Sequence, residues 1–324
     1  MMALFKQNKP MQGPQGYLRV CYTCNSRCRF CCTARGWDKP TRPYEHLLRE
    51  LDRMRGSNPS MFALSVSGGE PLLHPRVEDI LAYARDLGFT RIHMNTNARL
   101  IKDADHVRRL MDAGLTSAMV SMHGKDAAMQ DFLTRRQGSF DQMRQGVDAM
   151  AEAGLRFRFM TVICRDNVSQ LKDILRLAVK EYPQAESMTF CYPMLKDITH
   201  YDKDLVALSF REVAPLVREI MAEGDGEGMH VIGQLFPPCL LGRYYRRAAE
   251  FRRPDYILSD TDLMRLKPAI DEDTLLWPLC VDCEARQSCT RIQYEYVLRY
   301  GYEEELYSPL TGITGGTANA GAGQ

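Results

Sequence analysis

The sequence predicts a parallel α/β fold, a partial (β/α)6 barrel of six strand–helix units with a small cysteine-bearing domain at its C-terminal end. Three observations predict it. Short apolar or β-branched runs alternate with longer helical patterns between about residues 18 and 235. Gly88, Gly114 and Gly154 fall where successive helices should end, and glycine relieves the left-handed conformation that commonly closes a helix. After about residue 236 the alternation stops, giving way to Pro237 and Pro238, an arginine-rich stretch and four further cysteines.

Element by element, strands are expected at 18–23, 62–67, 91–95, 117–122, 157–163 and 187–192. Helices are expected at 41–55, 75–87, 103–113, 139–153 and 167–181. A strand–helix repeat implies parallel strands joined by right-handed crossovers, and six units fall short of a closed eight-stranded TIM barrel. Its working face should be the carboxyl ends of the strands, where the connecting loops meet. The expected divisions are an N-terminal extension (1–17), the TIM-like barrel (18–235), the appended domain (236–310) and a disordered tail (311–324). The tail holds five glycines and no charge.

Composition excludes several classes. The 324 residues are 45% hydrophobic and 26% charged, as in an ordinary globular protein. Forty-two Lys+Arg stand against 41 Asp+Glu, a balance that argues against a nucleic-acid partner. Arg243, Arg246, Arg247, Arg252 and Arg253 make one local basic cluster, read as a solvated face. Residues 1–20 lack the apolar run of a signal peptide, and no stretch of about 18 apolar residues offers a membrane span. A cytoplasmic location follows, and there eleven cysteines point to metal binding or catalysis rather than disulfides.

Residues 24–31 read Cys-Asn-Ser-Arg-Cys-Arg-Phe-Cys, directly after the first expected strand. Thiolates are the usual ligands of iron–sulfur clusters. Cys24, Cys28 and Cys31 on one short loop could hold three irons of a [4Fe–4S] cube and leave the fourth open, as a catalytic metal site requires. A zinc site or a purely structural cluster fits the same triplet. Phe30 would shield such a cluster from water. Residues 67–71, Ser-Gly-Gly-Glu-Pro, end the second expected strand. Gly68 and Gly69 permit close backbone approach to a ligand, and Glu70 offers a carboxylate to an amino group. Alone, Gly-Gly is an ordinary turn. Paired with the cysteine triplet on the adjacent parallel strand, it becomes specific.

Together, Cys-Asn-x-x-Cys-x-Phe-Cys and Gly-Gly-Glu-Pro resemble the radical S-adenosylmethionine (SAM) superfamily over residues 18 to about 235. The resemblance implies that Cys24, Cys28 and Cys31 bind a [4Fe–4S] cube whose open iron is chelated by SAM. Gly68, Gly69, Glu70 and Pro71 would contact the methionine amino group. One electron, from a donor such as flavodoxin or ferredoxin, would cleave SAM to a 5′-deoxyadenosyl radical that abstracts hydrogen from a small-molecule substrate. Ser121 falls where the family often contacts the SAM ribose or carboxylate. Asn97 falls in a segment where the family often has Thr-Asn-Gly, with Ala98 in place of the glycine. For both, satisfying a loop backbone is the plainer alternative.

The appended segment carries Cys280-x2-Cys283-x5-Cys289, with Cys239 about forty residues earlier. Four thiolates suit a fully ligated [4Fe–4S] cluster or an all-cysteine zinc site, and spacing does not separate them. The segment is similar to the auxiliary-cluster (twitch or half-SPASM) domains of radical SAM enzymes, which implies a second cube in an electron-conduit or structural role.

Four cysteines remain. Cys21 and Cys32 are read as packed side chains. Cys164 and Cys191 fall at the ends of the fifth and sixth expected strands, where a thiol could return a hydrogen atom to a substrate radical and invert a carbon. Buried structural thiols are the alternative, and Cys191 is the preferred donor. This arrangement resembles the aminoglycoside epimerases of the superfamily, which implies a sugar or aminoglycoside substrate. Two rival outcomes are dehydrogenation of a similar substrate and maturation of a peptide. The short lead before the first strand weighs against peptide recognition. A non-enzymatic iron–sulfur or zinc protein would explain the cysteines but not the Gly-Gly-Glu-Pro segment.

Overall fold

A computed structural model describes residues 15–37, 39–195, 208–249, 256–258, 264–266, 274–275 and 278–313. Most of the expected N-terminal extension, nearly all of the expected tail, and Arg252 and Arg253 lie outside them.

Seven parallel strands run β1 (Gln15–Cys21), β2 (Ala63–Gly68), β3 (Arg91–Thr96), β4 (Leu115–Ser121), β5 (Arg156–Val162), β6 (Met188–Cys191) and β7 (Val231–Gln234). Each pairs with the next in chain order, so the sheet winds in one direction without closing. The helices between them are α1 (Tyr44–Ser57), α2 (Val77–Asp86), α3 (Ala104–Asp112), α4 (Ala127–Thr134), α5 (Ser139–Ala153), α6 (Leu171–Glu181) and α7 (Phe210–Glu227). Beyond them β8 (Tyr256–Leu258) joins the free edge of β1 in parallel, and β9 (Met264–Leu266) pairs antiparallel with β8. Part of the C-terminal segment therefore extends the main sheet. The rest forms a small hairpin, β10 (Thr274–Leu275) with β11 (Ile292–Gln293), leading into α8 (Tyr294–Tyr300).

The strands alternate in burial because successive side chains leave a strand on opposite faces. On the outer face Leu18, Val20, Leu64, Val66, Ile92, Met94, Val120, Phe157 and Phe159 are fully or almost fully buried. They share one apolar core with helical residues such as Leu47, Leu51, Ile80, Leu81, Val107 and Leu110. The inner face differs. It presents Tyr17, Ser65, His93, Asn95, Ser117, Met119, Arg158 and Thr189, several of them only half-buried. A closed barrel fills this space with branched apolar side chains. Here polar side chains share it with Met119, Met160, Val162 and Ile232.

The seventh strand and α7 were not expected, and the reasons are local. Strand β7 is four residues long and contains Gly233. Helix α7 holds Pro215 and Gly224, both poor helix formers. It is held at its start by a reciprocal capping box between Ser209 and Glu212. Gly224 is needed for packing, since a Cβ there would lie 2.5 Å from the Val231 side chain. The expected helix ends hold: Gly88, Gly114 and Gly154 all adopt positive φ. In the basic cluster, Arg247 is bridged to Asp225 and Arg246 lies against Tyr245. No helix among the described residues is long and apolar enough to cross a membrane.

One close approach fixes the loop after β3. Ala98 is fully buried with φ +61°, a left-handed conformation unusual for alanine. A Cβ on Gly146 of α5 would meet the Ala98 carbonyl oxygen at 2.2 Å. Gly146→Ala is therefore expected to destabilise the protein by about 1–3 kcal/mol through overpacking, read as a lower urea midpoint with unchanged slope. An unshifted midpoint would mean that the loop yields freely.

Candidate functional site

The site forms where the carboxyl ends of β1, β2 and β3 meet. The chain leaves β1 at Cys21 and enters the cysteine loop, whose backbone is docked on the end of α4. Arg27 and Arg29 N–H donate to the carbonyls of Thr134 and Leu133 at 2.9 Å each. Within the loop Cys31 N–H turns back to the Cys28 carbonyl at 3.2 Å. Phe30 is buried, with its ring packed edge-on against His123 at a centroid separation of 4.5 Å.

Gly68 and Gly69 hold the loop's first residues. Gly69 N–H donates to the Cys21 carbonyl at 3.0 Å, and Glu70 N–H to that of Thr23 at 2.9 Å. A Cβ on Gly69 would lie 2.0 Å from the Thr23 oxygen, and one on Gly68, at φ +152°, 2.3 Å from the Cys21 oxygen. The close backbone approach these glycines permit is thus made to the chain's own β1–loop junction.

Glu70 is fully buried. Its carboxylate accepts from Thr96 Oγ1 at 2.7 Å, Asn97 N–H at 2.8 Å and Leu72 N–H at 3.2 Å. Burial raises its pKa, and those donors oppose the rise. The side chain expected to reach an amino group therefore ties β2 to β3, while Pro71 opens the short 3-10 turn that follows it. Asn97 turns toward the cysteine loop. Its Nδ2 donates to Asn25 Oδ1 at 2.7 Å and lies 3.8 Å from Cys24 Sγ. Ser121 ends β4, half-buried on the inner face.

Several contributors were not anticipated. Arg99 donates to the Asn25 carbonyl at 2.6 Å, Ser26 Oγ at 3.0 Å and Gln142 Oε1 at 2.9 Å, clamping the cysteine loop to α5. Asn25, Thr96 and Arg99 all lie within three residues of positions already singled out, so proximity to those motifs was the available signal. His123 is buried and accepts from Val162 N–H at 3.2 Å.

Burial pushes the Cys24 thiol up to about 11, with the charges of Glu70, Cys31 and Cys21 adding, and Cys28 higher still, with those of Cys31 and Cys24 adding. Ligation requires thiolates, so a metal group bound here must displace protons. Among the described residues no three His, Cys, Asp or Glu side chains converge as ligands of a single ion. A cube presents its corner irons in different directions, so thiols serving it need not converge on one point. Three free thiols, coupled to one another on a docked loop, fit such a group and leave one corner without a protein ligand.

The C-terminal cysteines gather as well. Cys239, Cys280, Cys283 and Cys289 line a single apolar pocket with Leu279, Ala285 and Tyr307. Burial pushes Cys239 to about 11 and Cys289 to about 12, and the neighbouring thiols add to both rises. Backbone N–H groups of Arg291 and Leu310 donate to Cys289 Sγ at 3.2 Å and Cys283 Sγ at 3.4 Å. Such bonds tune cluster sulfur.

The remaining thiols divide. Cys21 is fully buried and donates to the Glu70 carbonyl at 3.1 Å, whereas Cys32 is exposed. Cys164 belongs to the apolar core, and burial pushes it to about 12. Cys191 ends β6 outside that core cluster, 7% exposed, its Sγ 3.2 Å from the Tyr192 carbonyl.

Residues 18–178 match the family described as the radical SAM superfamily. The chain carries a radical SAM domain. It is 28% identical over 196 residues to an AdoMet-dependent heme synthase of Nitratidesulfovibrio vulgaris, covering 60% of this chain and 52% of that one. It is 29% identical over 162 residues to the mycofactocin maturase MftC of Mycobacterium tuberculosis, covering 48% and 39%. The chain thus spans about half or less of the length of these relatives. The solved structure of anSMEcpe with bound AdoMet superposes with a TM-score of 0.63 at 13% identity, covering 90% of this chain and 94% of that one, a likeness of fold. A radical SAM domain implies SAM and a [4Fe–4S] cluster, and it is the cysteine loop after β1 whose donors suit that cluster.

Burial holds the His123 imidazole down at about 3, against 6.5 for the free side chain. Between those values the unfolded chain binds the extra proton, so acid favours unfolding. Each pH unit lost in this window is expected to remove about 1.4 kcal/mol of stability at this residue. His123→Asn keeps an acceptor for Val162 and should flatten the slope by that amount in denaturant titrations of the apoprotein from pH 6.5 to 4. An unaltered slope would show that the imidazole reaches water.

Proposed function

We propose that this chain reductively cleaves SAM and uses the resulting radical to epimerise a carbon of a small, polar, sugar-type substrate, with Cys191 as hydrogen donor. The observation that carries the reaction type is the place of Cys191: a buried thiol at the carboxyl end of β6, in the layer of the inner face that pairs with Val162 and Gln234.

The residues divide the work. Cys24, Cys28 and Cys31 would hold the cluster, and the Gly68–Pro71 turn keeps their loop at the mouth of the barrel. Asn97 and Arg99 brace Asn25 and Ser26, so the loop keeps its shape when thiols become thiolates. Gly68–Pro71, Asn97 and Ser121 form the edge along which SAM would lie. When bound, the cluster and SAM supply a 5′-deoxyadenosyl radical that takes one hydrogen atom from the substrate carbon.

Cys191 then gives its S–H hydrogen to the opposite side of that carbon. The thiyl left behind regains a thiol by taking one electron and one proton. Cys239, Cys280, Cys283 and Cys289 would hold a second cube for electron relay, and a small electron carrier such as flavodoxin or ferredoxin is the source. A reducing cytoplasm suits eleven free thiols.

Anaerobic reconstitution should load about eight irons per chain, falling to about four in Cys289→Ala. Cys28→Ala should abolish 5′-deoxyadenosine formation. In heavy water, wild-type enzyme should place deuterium at the inverted carbon, and Cys191→Ala should still break SAM down yet release no inverted product. A product two hydrogens lighter, formed equally well by Cys191→Ala, would establish dehydrogenation instead.

A further inference from the structure

The cysteine loop is basic, although the chain as a whole is nearly neutral. Residues 24–39 hold Arg27, Arg29, Arg35 and Lys39 against one acid, Asp38. The helix end on which the loop docks adds to this charge. Helix α4 stops at Thr134, and Arg135 and Arg136, both exposed, follow it. Since Arg27 and Arg29 N–H bond to Thr134 and Leu133, loop and helix end lie side by side. The crowding of like charge is felt at Arg99, whose pKa is lowered by burial and then by the charge of Arg136.

This charge is not spent within the fold. The Arg27 guanidinium donates to the Cys24 and Ser26 carbonyls and that of Arg29 to the Phe132 carbonyl, all neutral acceptors. Arg29 lies over the Phe132 ring at 3.8 Å and Arg27 over the Trp37 ring at 4.8 Å. An aromatic face holds a guanidinium without neutralising it. None of Arg27, Arg29 and Arg136 forms an ion pair with a described residue. Asp131, the one acid of α4, serves the start of α5 instead, accepting from Gly138 N–H, Ser139 Oγ and Phe140 N–H. Exposed arginines elsewhere, such as Arg76, Arg108, Arg176 and Arg211, are bridged to carboxylates.

An apolar contact sits among these cations. Phe132, beneath Arg29, is 44% exposed. Cys32, next to the third thiol of the triplet, is exposed too, so the loop itself reaches the surface. A radical SAM domain must receive an electron at this loop. Electron carriers make brief encounters through small interfaces, and complementary charge steers them.

We propose that Arg27, Arg29, Phe132 and Arg136 form the docking surface for an acidic electron-carrier protein of the flavodoxin type, seated beside the cysteine loop. This rests on the reading of that loop as the place of reductive SAM cleavage, and it gives the partner a charge and a point of approach. A nucleic acid would match the charge as well, but the patch spans only one loop and one helix end of a chain with no basic excess.

The test is calorimetric binding of an acidic flavodoxin to the reconstituted, SAM-loaded enzyme. Raising the salt from about 0.05 M to about 0.5 M should weaken binding at least about tenfold. At low salt Arg136→Glu should weaken it at least about fivefold and Phe132→Ser about threefold. Arg53→Glu makes the same change in net charge near the end of α1, which runs back to the opposite end of the barrel, and should leave binding unchanged. With dithionite, Arg136→Glu should form 5′-deoxyadenosine at the wild-type rate, showing that it folds and loads iron; with limiting reduced flavodoxin it should be slower. No binding of the flavodoxin, binding indifferent to salt, equal effects of Arg136→Glu and Arg53→Glu, or tighter binding of duplex DNA than of the flavodoxin overturns the proposal. Failure of the SAM-cleavage reading would appear separately, as wild-type protein that holds iron but forms no 5′-deoxyadenosine with dithionite.

Discussion

The contact on which everything else depends is the meeting of two backbones at the carboxyl ends of β1 and β2. Gly68 and Gly69 lie so close to the Cys21 and Thr23 carbonyls that any side chain would force the strands apart. The strand that ends in glycines therefore sets where the cysteine loop begins. Glu70 then carries the constraint one strand further. Its buried carboxylate would be strongly unfavourable alone, but it collects a hydroxyl and two backbone N–H groups, and the loss of any one would leave a group unpaired at about 1–3 kcal/mol. Three strand ends are thereby locked around one loop.

The two faces of the sheet serve different purposes, and the division follows from leaving the barrel open. All conventional core formation is done by the outer face, where leucine, valine, isoleucine and phenylalanine meet the helices. The inner face is released from that duty. It holds serine, histidine, asparagine and arginine at positions that a closed barrel would fill with branched apolar groups. Polar side chains persist there because they bond across strands, as Arg158, His93 and Ser117 do.

The two cysteine sites are built on opposite plans. The first lies on a loop braced by amide and guanidinium groups, with three partly exposed thiols. The second encloses four thiols among apolar residues. Three donors suit a centre with one open position, and four suit a centre with none.

The strand–helix alternation, the cysteine triplet and the Gly-Gly-Glu-Pro turn were legible in the chain because each is a local pattern, complete within a dozen residues. The likeness to the radical SAM superfamily could be read from those patterns alone. Strand β7 and helix α7 escaped because Gly233, Gly224 and Pro215 erase the local signal, and they form only because tertiary packing rewards them. Likewise, nothing in the spacing revealed that Glu70 would join β2 to β3, that Arg99 would clamp the cysteine loop, or that Cys164 would face the helices while Cys191 took the inner face. Those outcomes depend on register and on which face a residue takes. A shift of one residue reverses the face, and only the paired sheet decides it.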